Sequence, residues 1–207
     1  MNLIRLNTAF ILPEDILERV VQLSRELSNK SETYFTLDNL NFYPHITIYP
    51  PVYPENNVDR VLKELEILTS KLHSVNLIFT DIQTIQGWIG IYFDLTLELK
   101  RLHQEIVGRL NPLREGALRD KYKNGSDYMM NFSNEQVRNI QSYGYPDAMT
   151  LYKPHLTITR FKNESIAEQV ADKIKWDISD FIVERIGVHL TGEHGTCTKR
   201  IAEFKLL

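Results

Sequence analysis

Hydrophobic and polar positions along the chain fall into extended and helical stretches, and the order of those stretches repeats. Leu3–Leu12 is an apolar run that predicts a strand. Pro13 follows where a first helical residue would sit, and Glu14 and Asp15 suit the positive end of a helix. Ile16, Leu17, Val20, Leu23 and Leu27 recur at helical spacing and predict a helix over about 14–29. A polar loop over 29–41 leads to a short strand at His45–Tyr49, ended by the Pro-rich run Pro50–Pro54. Asn57 is placed to cap a second helix, with Val58, Val61, Leu62, Leu65 and Leu72 on one face. Val75–Ile85 and Trp88–Leu95 read as strands that turn at Gly87.

A second series follows the same order. Thr96 is placed to cap a helix over about 97–110, with Leu99, Leu102, Ile106 and Leu110 apolar. A short strand is expected at His155–Phe161. Ser165 and Glu168 then make a capping-box pattern for a helix that carries Ile166, Val170 and Ile174. Strands over Ile178–Leu190 and Lys199–Leu206 complete the series. This is a duplication of pattern rather than of sequence. It predicts an α+β fold of two pseudo-symmetric lobes, with antiparallel sheets flanked by helices and a central cleft. We expect one bilobal domain over 1–207, with repeat halves of about 1–86 and 87–207.

The halves differ by an insertion at about 111–150, between the third helix and the second short strand. Ser133 and Gln136 form a capping-box pattern within it, and Gly144 is placed to close a short helix. Tyr128, Met129, Met130, Phe132, Tyr143 and Tyr145 enrich the segment. Such a set fits either a lid over the cleft or a small core of its own.

The chemistry is concentrated in a near-copy. Residues 44–48 read Pro-His-Ile-Thr-Ile, and residues 154–158 read Pro-His-Leu-Thr-Ile. Side chains alternate along a strand, so His45 and Thr47 share one face while Ile46 and Ile48 take the other. The same holds for His155 and Thr157 against Leu156 and Ile158. One His-x-Thr is common and reads as a polar strand face. Two copies, in matching places of two similar halves, point to one cleft with two imidazoles and two hydroxyls.

In-line cleavage of a phosphodiester needs a base on one side of phosphorus and an acid on the other. Imidazole, with an ordinary pKa of about 6.5, can be either near neutrality. Hydroxyls can donate to the non-bridging oxygens, where charge must be stabilised.

The arrangement resembles the two-histidine (2H) phosphoesterase superfamily, which includes 2'-5' RNA ligase-like proteins and cyclic nucleotide phosphodiesterases. The family pattern is His-φ-Thr/Ser-φ, with φ hydrophobic. Both tetrads, His-Ile-Thr-Ile and His-Leu-Thr-Ile, match it at every position. Arg160 follows the second tetrad where similar proteins often carry a basic residue, whereas Tyr49 and Pro50 follow the first.

The resemblance implies a metal-independent phosphodiesterase acting on 2',3'-cyclic or 2'-5' phosphodiester bonds of nucleotides or RNA ends. His45 and His155 would be general acid and base, Thr47 and Thr157 would bind phosphate, and no cofactor or metal is implied. The rivals are a 2'-5' RNA ligase-like transferase, which runs the reaction in reverse, and a nucleotide- or RNA-binding protein with little catalysis. A metallohydrolase is a further rival, disfavoured by the lack of carboxylates at ligand spacing near the motifs.

The remaining candidates flank the motifs or lie apart. Tyr43 and Tyr152 are aromatics positioned to stack a base, and Lys153 or Arg160 could meet phosphate. Simple alternation places Arg160 on the face opposite His155. His189, His194 and Cys197 are loosely spaced like metal ligands, but Thr191–Thr196 reads better as a hairpin turn. His73 suits a helix C-terminus, and His103 reads as a surface histidine on the third helix.

Composition bounds the partners. With 24 Lys and Arg against 27 Asp and Glu, the net charge is −3, so no overall basic field draws in long duplex nucleic acid. The single cysteine and the absence of a signal-peptide or membrane-span pattern fit a cytoplasmic monomer that meets a nucleotide or an RNA end.

Overall fold

The computed structural model describes residues 2–123 and 127–207. Among the described residues ten strands form one curled sheet. β1 (Leu3–Ile11), β2 (Thr33–Thr36), β3 (Ile46–Tyr49), β4 (Val52–Pro54), β5 (Val75–Ile85) and β6 (Trp88–Phe93) come first in the chain. β7 (His155–Phe161), β8 (Asp180–Val183), β9 (Arg185–Thr191) and β10 (Cys197–Lys205) follow. The spatial order is β10-β9-β1-β3-β7-β6-β5-β8, with β2 beside β7 and β4 beside β1. All the pairings are antiparallel.

That order is a palindrome about the β3–β7 junction, the two strands that carry the His-x-Thr motifs. β1 and β6 stand next outward, then β9 and β5. Each half thus pairs with the first strand of the other: β5 of the first half with β6 of the second, and β9 of the second half with β1 of the first. The lobes exchange helices as well. α1 (Glu14–Ser28) packs behind β7, while α3 (Leu97–Leu110) packs behind β3. α2 (Val58–Thr69) lies against α3 and β10, and α5 (Glu164–Ala171) covers β5, β6 and β7. One continuous apolar core runs beneath both motifs and includes Phe10, Ile46, Ile48, Ile91, Leu156 and Ile158.

Local chemistry sets several ends as the sequence indicates. Thr96 accepts a hydrogen bond from the Leu99 amide and caps α3. In the insertion, Ser133 and Gln136 complete a reciprocal capping box for α4 (Asn134–Tyr143). Gly144 closes that helix in the left-handed region, where any Cβ would also strike Arg114 at 2.8 Å.

Other ends differ. Asn57 gives its side chain to the Leu113 carbonyl and Glu115 rather than to the first turn of α2. Asn163, not Ser165, caps α5. The expected strand over Ile178–Leu190 is two strands broken at Glu184, because β8 pairs with β5 and β9 pairs with β1. The polar loop hides β2, and the Pro-rich run hides β4.

The insertion is anchored by buried polar groups. The Arg114 guanidinium donates to Asn111 Oδ1 and to the carbonyls of Ala117, Gln141 and Ser142. Asn139 donates to the carbonyls of Pro146 and Ala148. The Tyr49 hydroxyl, at the end of β3, donates to the Tyr143 carbonyl at 2.6 Å. The described part of the segment is thus a packed wall beside the first motif, with Tyr122 and Ile140 buried in it and Met130 exposed.

Candidate active site

His45, Thr47, His155 and Thr157 line one cavity of about 620 Å³ between the lobes. The pairing of Ile46 with Leu156 joins the two motifs. Continued one residue each way, that antiparallel register sets His45 across from Thr157 and Thr47 across from His155.

The imidazoles are held alike. His45 Nδ1 donates to the Tyr43 carbonyl at 2.8 Å, and His155 Nδ1 donates to the Lys153 carbonyl at 2.8 Å. A carbonyl only accepts, so each Nδ1 carries the hydrogen. Nε2, on the far side of each ring, is the nitrogen left for the cavity.

Each motif strand also contains a bulge at the same place. Thr47 pairs with Ala9 and Tyr49 with Thr8, so Ile48 is the extra residue. Thr157 pairs with Gly90 and Thr159 with Ile89, so Ile158 is the extra residue. A bulge disrupts the ladder locally, and here a buried polar side chain from the helix behind bonds the extra residue's carbonyl. His103 Nδ1 of α3 donates to the Ile48 carbonyl at 3.0 Å. Ser24 Oγ of α1 donates to the Ile158 carbonyl at 2.8 Å. His103 is therefore a fully buried residue rather than a surface one. Its Nε2 accepts from the Met149 amide, and burial depresses its pKa to about 4.

The bulge corrects the expected side of Arg160. One extra residue shifts the alternation, so Arg160 comes to the cavity with His155 and Thr157. Its guanidinium lies 5.0 Å from the ring centres of both Tyr34 and Trp88, and Nη1 is 3.2 Å from His194 Nδ1. His194 in turn packs on Tyr34, ring centres 4.3 Å apart and planes tilted by 36°. The Gly192–Thr196 turn thus delivers a third histidine to the cavity. Motif reading gives no place in the site to Tyr34 or His194, because nothing near them in the sequence resembles a motif.

The other flanking residues lie elsewhere. Tyr152 is buried with its ring against His103 at 3.9 Å, and its hydroxyl donates to the Thr47 carbonyl, so its face is closed to a ligand. Lys153 is exposed and contributes its carbonyl to His155. Tyr43 holds His45 through its carbonyl, while its ring packs on His189 and Arg200. His189, His194 and Cys197 do not converge: His189 lies buried behind Tyr43, and Cys197 Sγ accepts from Asn7. Among the described residues no three His, Cys, Asp or Glu gather as metal ligands would.

Asn7 is a further residue that motif reading overlooks. Its Nδ2 donates to Thr47 Oγ1 at 2.9 Å. With that lone pair engaged, the Thr47 hydroxyl hydrogen is free to point at a ligand. A polar amide amid the apolar residues of the first strand, which carries Arg5 and Thr8 as well, was the available signal.

Burial dominates the electrostatics around the first motif. Burial, opposed by the bond to Tyr43 and aided by the charge His155 can carry, holds His45 down at about 4. His189 is pushed to about 3 by burial, with His45 and Arg200 adding to it. His45 is therefore neutral near pH 7, with a bare lone pair on Nε2.

Comparison with known proteins agrees with the architecture. TT0787 of Thermus thermophilus superposes with a TM-score of 0.59 at 14% identity, covering 98% of this chain and 97% of that one. E. coli LigT in apo form gives 0.55 at 11% identity over 100% and 99%. A structure described as a phosphoesterase gives 0.52 at 14% identity over 98% of each chain. The fold is that of the LigT-like 2H phosphoesterases. The chain belongs to the family described as protein of unknown function DUF1045, whose model matches residues 47–190. No curated protein sequence matches it significantly. Among the described residues no helix is long and apolar enough to cross a membrane.

Proposed function

We propose that the protein is a metal-independent phosphodiesterase that opens 2',3'-cyclic or 2'-5' phosphodiester bonds in nucleotides or RNA ends. The observation that carries this reading is the mirrored posture of His45 and His155, each tied through Nδ1 and offering Nε2 to the same cavity. A phosphate seated between them meets one imidazole on each side.

Neutral His45 is the base. It takes a proton from water as the water oxygen bonds to phosphorus. The bond from phosphorus to the leaving ribose oxygen breaks, and His155 gives that oxygen a proton. Thr47, oriented by Asn7, and Thr157 donate to the non-bridging oxygens. Arg160 supplies charge at the rim. The two imidazoles end with exchanged protonation states, which solvent resets. The same geometry run backwards joins a hydroxyl to a cyclic phosphate, the ligase-like alternative. LigT structures hold 3'-AMP and ATP, which supports a nucleotide as the ligand class.

The test is a turnover screen over 2',3'-cyclic nucleotides and 2'-5' oligonucleotides, after dialysis against a strong chelator. Opening of at least one of these bonds by chelated protein is expected. Turnover that vanishes on chelation and returns with Mn²⁺ or Zn²⁺ would rule out the two-imidazole mechanism.

A further inference from the structure

Beside the main cavity lies a second, smaller one of about 310 Å³. Its floor is Leu3 and Arg5 of β1 with Val52 of β4, and its roof is Leu118–Lys121 of the insertion. Arg119 and Lys121 line both cavities, so the two meet at a shared basic wall. Arg5 and Asn7 are two apart on β1 and face the same way, which places Arg5 about 7 Å along the strand from the residue that holds Thr47.

Three cations gather here. Arg5 Nη2 is buried and has no hydrogen-bond partner among the described residues. Arg119 and Lys121 lie over the Tyr122 ring at 5.5 and 5.1 Å, and Lys121 also donates to the Tyr128 hydroxyl. Among the described residues Asp120 is the one carboxylate lining the smaller cavity, and it is exposed and paired with Lys123 at 2.6 Å. The crowding is electrostatically unfavourable: burial and mutual repulsion lower the pKa of both Arg5 and Lys121. Asp147 also lines the main cavity, but among the described residues none of the three cations is ion-paired, and such a partly buried cluster in a chain of net charge −3 calls for an anion.

We propose that Arg5, Arg119 and Lys121 form a second anion site that takes another phosphate of the same substrate, one sugar away from the bond that is cut. The substrate class is then a nucleotide or nucleotide-like sugar bearing both a phosphodiester and a separate phosphomonoester. This rests on the phosphodiesterase reading and narrows it. The insertion supplies two of the three cations, so it acts as a specificity element. The Arg forks suit a phosphate's oxygens, and Lys121 adds a point charge.

The test compares adenosine 2',3'-cyclic phosphate with its 5'-phosphorylated form. The wild type is expected to favour the 5'-phosphorylated substrate at least tenfold in kcat/KM, mainly through KM. Arg5→Gln and Arg119→Gln should each cut that preference about tenfold, and Arg119→Lys should restore part of it. Equal use of both substrates by the wild type overturns the second site and leaves the phosphodiesterase reading standing.

If neither substrate is turned over, the phosphodiesterase reading fails, and calorimetric titration with inorganic pyrophosphate decides the anion site. Binding that survives in the His45→Ala/His155→Ala protein and is lost in folded Arg119→Gln supports it. Binding that depends on the histidines but not on Arg119, or no binding at all, overturns it. Free phosphate acting as an effector, rather than as part of the substrate, would appear as pyrophosphate that stimulates turnover instead of competing. That outcome too overturns the substrate assignment.

Discussion

The two His-x-Thr strands are built alike and equally half-buried, but different groups stand around them. Both have the same anchored imidazole, the same bulge and the same kind of buried polar group behind the bulge. Around the first motif stand Asn7, His189, the Arg114-anchored wall and Pro50. Around the second stand Gly90, Tyr92 stacked on His155 at 5.3 Å, and Arg160. Symmetric backbones thus place two equal groups in unequal surroundings, and burial holds the first of them, His45, neutral near pH 7.

The sharpest break of the comparison is removal of either imidazole. His45→Ala and His155→Ala should each lower kcat/KM by roughly 10²–10⁴, with the double variant little worse than either single. The acid limb of the pH profile belongs to His45, since it must be neutral to act, and should fall near pH 4 in kcat/KM. A folded His155→Ala protein with near-normal turnover would reduce the second motif to a plain strand.

The hydroxyls come next. Thr47→Val and Thr157→Val should cost up to about 2–4 kcal/mol of transition-state stabilisation each. Asn7→Ala removes the group that orients Thr47, together with a long bond to Cys197 Sγ away from the reacting atoms, so a loss of about 1 kcal/mol, near fivefold, is expected in kcat. The place on β6 that matches Asn7 on β1 holds Trp88, an indole in place of an amide, so the orienting device belongs to the first motif. Asn7→Ala added to Thr47→Val should cost nothing further. An additive double variant would mean that Asn7 works through something other than Thr47.

The bulge supports can be compared through stability. Ser24→Ala leaves the Ile158 carbonyl without its side-chain donor and the Leu37 amide without its acceptor, and His103→Leu likewise frees the Ile48 carbonyl and the Met149 amide. Each should cost about 1–3 kcal/mol in urea unfolding. A variant of either kind as stable as the wild type would mean that its bulge is held by strand pairing alone.

The smallest effect is a pH slope. His45, His103 and His189 are all depressed in the fold, to about 4, 4 and 3. As pH falls below about 6.5 the unfolded chain binds protons that the folded chain refuses, so stability declines from there toward pH 4. His103→Gln should remove about one proton from that slope, about 1.4 kcal/mol per pH unit at most. An unchanged slope would show that His103 titrates normally in the fold.

Much of this was legible in one dimension. The Pro-His-x-Thr-Ile copies, the order of strands and helices, the Thr96 and Ser133 caps and the Gly144 stop follow from periodicity and local hydrogen bonding, which act over a few residues. The tertiary structure alone decided the rest. Two bulges, created by pairing with β1 and β6, shifted the alternation and turned Arg160 toward the cavity. Helix exchange buried His103 and Ser24 behind the motif strands. Packing closed the face of Tyr152. Chain crossing brought Tyr34, His194 and Arg5 to places their neighbours in sequence do not suggest. Local propensity fixes what a segment is, but the face a residue shows depends on which strand or helix lies beside it, and that is set by contacts distant in the chain.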